Sequence, residues 1–143
     1  MQTRLTAVAA LLALAASAPS VAAIRYVDAG LATGANNGTG WLDAYQGVGG
    51  LAAALTASVA GDEIWVKAGT YKPTTGTSRT VFFTMKTGVA VYGGFAGNET
   101  ALEQRDWRTN VTVLSGDLLS NDSGASNLTD NSYHVFVGSG AAS

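Results

Sequence analysis

Four six-residue segments of this chain can be laid over one another: Ile64 to Gly69, Val89 to Gly94, Val111 to Gly116 and Val135 to Gly140. Each reads aliphatic, variable, Val, variable, small, Gly, at successive offsets of 25, 22 and 24 residues. One short strand plus a glycine turn per unit, at that period, predicts a coiled β-solenoid, because each coil must return to the same place one strand spacing along. The two aliphatic positions lie two residues apart and so share one side of the strand. Stacked in register, the repeats would build two interior columns, Ile64/Val89/Val111/Val135 and Val66/Val91/Val113/Val137. All members are β-branched, which favours extended backbone and packs well between parallel strands about 4.8 Å apart.

Outside the repeats the chain reads simply. Ile24 to Asp28 alternates like a short strand, and a Gly/Asn-rich loop follows through Gly40. Trp41, Leu42 and Tyr45 open an apolar patch. Between Gly50 and Ala60, Leu51, Ala54, Leu55 and Val59 fall at helical spacing, and Gly61-Asp62 stops the pattern. This single helix is placed to cap the exposed end of the first coil. A further strand is predicted at Val81 to Met85, and the charged stretch Asn98 to Asn110 reads as a protruding loop or short helix. A βαβ sheet would need helical crossovers where this chain has Gly, Thr, Asn and Ser. An antiparallel sandwich would have no reason to repeat Val and Gly at fixed offsets.

Composition narrows the function. Of 143 residues only 13% are charged, while 47% are hydrophobic, which disfavours a disordered chain. The net charge of −2, with no run of Lys or Arg, argues against nucleic acid as a partner. Residues 1–23 read as a secretory signal: Arg4 at the basic end, an apolar Leu5 to Ala18, and Ser20-Val21-Ala22-Ala23 for cleavage. The apolar run is too short and Ala-rich for a membrane span. With no cysteine, export would bring no disulfide support. Five Asn-x-Ser/Thr sequons, at Asn37, Asn98, Asn110, Asn121 and Asn127, are the ordinary yield of Asn-rich loops and carry no weight.

The stretch Gly61 to Pro73, with Val91-Tyr92-Gly93-Gly94-Phe95-Ala96-Gly97-Asn98-Glu99-Thr100, Gln104-Arg105-Asp106-Trp107 and Asn131-Ser132-Tyr133-His134-Val135, resembles the N-terminal part of secreted bacterial right-handed parallel β-helix proteins. These are related in fold to pectin lyases and in part to polymorphic outer-membrane and autotransporter passenger proteins. The resemblance runs from about Ile24 to Gly140. It implies an all-β, right-handed parallel β-helix with a short N-terminal capping helix: residues 1–23 signal peptide, 24–63 cap, and 64–143 the first coils. The chain stops three residues after its fourth repeat, so it is read as the opening portion of a longer protein.

Enzymes of that fold, the resemblance implies, project Asp, Arg or Lys outward from neighbouring coils. The outward positions here would be Trp65/Ala90/Thr112/Phe136 and Lys67/Tyr92/Leu114/Gly138, with no carboxylate and Lys67 as the sole cation. Glycoside hydrolysis ordinarily needs a carboxylate pair, so no catalytic residue is assigned. His134, the only histidine, lacks partners for a triad or metal site and reads as an edge or turn residue. Asp117 to Asp130 gathers oxygen ligands of the kind calcium prefers. It matches neither the EF-hand nor the Gly-Gly-x-Gly-x-Asp spacing, and its residues are equally turn formers, so no metal or cofactor is assigned. Trp65, Tyr92 and Phe136 would form an outward aromatic strip unless the apolar Phe95 to Trp107 stretch folds over it, which is the expectation. The function expected is a non-catalytic exported scaffold, surface-displayed or adhesin-like, contacting carbohydrate or another surface protein. The alternative is the N-terminal part of a polysaccharide lyase or hydrolase acting on polyuronates. An uncovered last strand also predicts edge-to-edge self-association.

Overall fold

The computed structural model describes residues 21–138, so the signal-peptide expectation for residues 1–23 lies almost wholly outside the described residues. The described residues form eight short strands, β1 (Ile24–Asp28), β2 (Tyr45–Gln46), β3 (Glu63–Lys67), β4 (Gly69–Tyr71), β5 (Phe83–Met85), β6 (Ala90–Phe95), β7 (Thr112–Leu114) and β8 (Phe136–Gly138), one α-helix, α1 (Gly50–Ala57), and three single-turn 3-10 helices. The strands fall into three parallel sheets, ordered β2-β1-β3-β6, β4-β7 and β5-β8.

This overturns the all-β solenoid built on four stacked repeats; the architecture is a small α/β-like domain of short parallel strands around one helix. The four segments do not share a sheet. Two form β3 and β6 in the four-stranded sheet, the third forms β7 beside β4, and the fourth forms β8 beside β5. Even β3 and β6 pair two residues away from the expected columns: Ile64 stands beside Val91, Trp65 beside Tyr92, and Val66 beside Gly93.

The physical reason for that register lies in the glycine pair. A Cβ on Gly93 would come within 2.8 Å of the Thr112 Cβ, and one on Gly94, whose φ is +98°, within 2.8 Å of the Trp107 Cα. Only glycine permits both the close approach and the left-handed turn. Gly94 is passed over in a bulge, which places Phe95 beside Lys67. Phe95 then stacks on Trp65, ring centroids 4.8 Å apart and planes 11° from parallel.

In β7 the assignment of faces is inverted. Thr112 and Leu114 face the interior, and Val113 is 43% exposed. In β8, Phe136 lies 61% exposed at the mouth of an apolar groove and Val137 is 37% exposed, while Val135 just before the strand packs against the core. Displacing a strand's phase by one residue flips every side chain, and the Val-x-Val spacing alone cannot fix that phase.

The elements read individually hold up better. β1 spans Ile24–Asp28 as expected, and α1 occupies the first eight residues of the predicted helical stretch. Val59 lies beyond the helix and is half exposed, since Ser58 ends it by donating its hydroxyl to the Ala54 carbonyl. Leu51, Ala54 and Leu55 pack with Val27, Ile64, Val66, Tyr71 and Phe83 into one core. Each large apolar side chain so buried contributes about 2 kcal/mol.

The opposite face of the four-stranded sheet is also covered. Tyr26, Trp41, Trp65 and Phe95 form a contiguous aromatic layer with centroid separations of 4.8 to 5.7 Å. The loop after β1 supplies Trp41, whose indole donates to the Glu99 carbonyl at 2.9 Å.

Candidate functional site

Charge in this chain is spent largely on holding loops. Nine of its ten carboxylates accept hydrogen bonds from elsewhere in the protein. Asp28, buried at the end of β1, accepts from the Gly30 amide and from the Lys67 ammonium, both at 2.8 Å. Asp62 is 1% exposed and accepts from the Ala23 and Val59 amides at 3.0 Å and from Arg25 Nε at 2.9 Å. Desolvation pushes its pKa up, but those two amides and the Arg25 guanidinium outweigh it and hold the carboxyl below the ordinary value. Glu99 behaves alike. Burial raises its pKa, and the amides of Ala96, Gly97 and Asn98, at 2.6 to 3.0 Å, bring it below the ordinary range.

Tyr71 sits fully buried beside the Asp28 pair. Its hydroxyl donates to the Lys67 carbonyl and accepts from the Ala29 amide, and its pKa is pushed up to about 12 by burial and then by the Asp28 charge. Lys72, also buried, donates to the Leu118 carbonyl and to Ser120 Oγ, tying β4's end to the distant 117–122 loop.

The oxygen-rich stretch from Asp117 to Asp130 turns its carboxylates onto its own backbone and side-chain amides. Asp117 accepts from the amides of Asn121 and Asp122, Asp130 from the Leu119 amide, and Asp122 from the Asn131 side-chain amide. Among the described residues no three His, Cys, Asp or Glu side chains converge as a metal site would require. The carboxylates of 117–130 act as turn braces. His134 is exposed beside β8, its ring edge-on to Phe82 at 6.4 Å.

The outward aromatic strip divides three ways. Trp65 is 2% exposed, covered by Phe95 of the neighbouring strand β6 and by Tyr26 of β1 and not by a fold-over of the stretch up to Trp107, which is itself 61% exposed. Phe136 lies far from it in sequence and sheet, 61% exposed at the rim of an apolar groove of about 310 Å³ that is also lined by Val66, Phe83, Val91 and Leu114. Tyr92 remains half-buried on β6 with the Arg105 guanidinium 5.2 Å from its ring centre.

Sequence reasoning missed what surrounds Tyr92. Arg105 also reaches the Gly93 carbonyl, and the chain at Trp107 runs against Gly94. Trp107 is 61% exposed, with the Arg108 guanidinium 4.8 Å from its ring. Asp106, between them, is turned inward on its own loop, accepting from the Arg108 and Thr109 amides and the Thr109 hydroxyl. Two aromatic–guanidinium pairs, Tyr92 with Arg105 and Trp107 with Arg108, thus sit on β6 and on the 105–108 segment that runs against it. The alternation Arg105-Asp106-Trp107-Arg108 carried that signal, hidden by the expectation that the whole stretch was a cover.

Comparison with protein-family models, curated proteins and solved structures finds no match for this chain. Among the described residues no helix is long and apolar enough to cross a membrane.

Proposed function

We propose that this chain is an exported, non-catalytic binding domain, adhesin-like in role, that contacts anionic polysaccharide through Tyr92, Arg105, Trp107 and Arg108. The supporting observation is the contrast in how charge is used. Nine of the ten carboxylates serve as internal braces, whereas Arg108 is exposed over the Trp107 ring and Arg105, half-buried, lies over Tyr92. A sugar ring presents a flat apolar face that stacks on an indole or phenol, and a guanidinium fork matches a carboxylate or sulfate. Export rests on Arg4, the apolar Leu5 to Ala18 run, and the small residues before Ile24.

Titration of the protein with polygalacturonate and with a neutral glucan of similar length tests this. Saturable binding to the acidic polymer alone is expected, weakened roughly tenfold by Trp107→Ala or by Arg105→Ala with Arg108→Ala. Equal affinity for both polymers, or indifference to these substitutions, would refute it. Release of unsaturated, ultraviolet-absorbing product would replace it with the catalytic reading.

A further inference from the structure

We infer that the segments leading into β5 and β8 form a second site for acidic saccharide, in which the rings of Phe82 and Tyr133 offer stacking faces and Arg79 and Lys86 offer cations. The inference rests on the reading that this chain takes an anionic polysaccharide, and it adds a second point of attachment.

The distribution of charge along the chain leads there. All ten carboxylates fall between Asp28 and Glu63 or between Glu99 and Asp130, so residues 64–98 and 131–143 carry none. These two carboxylate-free stretches meet in one sheet, where β5 lies beside β8. On a chain whose net charge is −2, neither strand nor its lead-in sets a negative charge against an approaching anion.

The two lead-ins are held side by side. The Tyr133 amide donates to the Arg79 carbonyl and the Phe83 amide to the Val135 carbonyl, both at 2.9 Å. Phe83 is buried in the core, and alternation along the strand sends Phe82 outward, 37% exposed and edge-on to the His134 ring. Tyr133 is 61% exposed, with the Arg79 guanidinium 4.4 Å from its ring centre. Arg79 Nε is fixed on the Asn131 carbonyl at 2.7 Å, and its remaining N–H donors find no hydrogen-bond acceptor among the described residues.

Phe82 also lines a cleft of about 250 Å³ between α1 and β5, together with Ala52, Leu55 and Lys86. The Lys86 ammonium donates to the Thr56 and Ser58 carbonyls at 2.7 and 2.9 Å, which fixes its position. An ammonium has three N–H donors, so one remains for a ligand. Rings and cations thus stand together as they do in the Tyr92–Arg105 and Trp107–Arg108 pairs. A uronate residue stacks its apolar face on Phe82 or Tyr133 and sets its carboxylate on Lys86 or on the Arg79 fork. A polymer long enough to reach both sites is then held by avidity.

NMR titration of the full chain with trigalacturonate tests this. The Trp107 indole N–H reports the first site, and His134, the only histidine, reports the second through its ring protons. Both reporters are expected to shift with saturation, and neither with maltotriose. Phe82→Ala and Tyr133→Ala, at exposed rings, should each weaken the His134 response roughly tenfold while the Trp107 response persists. A Trp107 shift with His134 silent overturns this inference and leaves the first site standing. A His134 shift with Trp107 silent supports this inference and refutes the first site. Silence of both refutes the acidic-saccharide reading and this inference with it. An equal His134 response to maltotriose, or a His134 midpoint indifferent to both substitutions, would also overturn the second site.

Discussion

Replacing Asp62 by Asn removes one charge at almost constant shape, and the geometry says what should follow. Oδ2 accepts from both Arg25 Nε and the Val59 amide, while Oδ1 accepts from the Ala23 amide. An asparagine oriented to keep the first two must point its own NH₂ at the Ala23 N–H, setting donor against donor. The reverse orientation sacrifices two bonds to keep one. Hydrogen bonds to a charged group contribute roughly 1.5 to 3 kcal/mol each, and Arg25, at 24% side-chain exposure, regains part of its loss from water. The net cost should be about 3 kcal/mol in urea unfolding at pH 7. The pH dependence supplies a second check. Because the folded carboxyl titrates below its ordinary 3.8, its contribution is fully present above that pH and is lost as pH falls through the folded value. The gap between wild type and Asp62→Asn should therefore be constant from neutrality to about pH 5 and close in stronger acid. A cost under about 1 kcal/mol, or a gap that widens on acidification, would refute the reasoning.

Two further substitutions probe the packing. Trp65→Ala removes an indole stacked on Phe95 and edge-on to Tyr26, and should cost about 4 kcal/mol in thermal or urea unfolding; a loss below about 1 kcal/mol would mean the aromatic layer is not closed. Gly94→Ala forces a side chain into a φ of +98° and to within 2.8 Å of the Trp107 backbone, so at least about 2 kcal/mol should be lost, together with sugar binding at the displaced Trp107.

How much of this was legible in the sequence varies with the range of the interaction. The strand Ile24–Asp28 and the start of α1 at Gly50 follow from local alternation and helical spacing, and the structure has both. The repeat misled because Val-x-Val followed by a small residue and glycine is what any short strand leaving by a turn looks like. It carries no information about which sheet the strand joins. β7 took Tyr71's strand as its partner and β8 took Phe83's, choices made by long-range packing around the Phe83 and Tyr71 rings. The register of β6 was decided by Gly93, Gly94 and the Trp65–Phe95 stack, a combination invisible to a count of aliphatic positions. Of the candidate surface, Tyr92 was singled out, but its companions Arg105 and Arg108 were obscured by treating their segment as a lid. The braces at Asp62 and Glu99 had only a weak trace, an acidic residue beside a glycine-rich turn.

The account rests most on the claim that these carboxylates brace loops rather than trade protons with a substrate. Carbon-detected NMR titration of the Asp62 and Glu99 carboxyl groups tests it directly, since a catalytic acid at neutral pH needs a raised pKa and a brace has a depressed one. Midpoints below the ordinary 3.8 for Asp62 and 4.5 for Glu99 are predicted, and a midpoint for either group displaced upward toward neutrality would contradict the account.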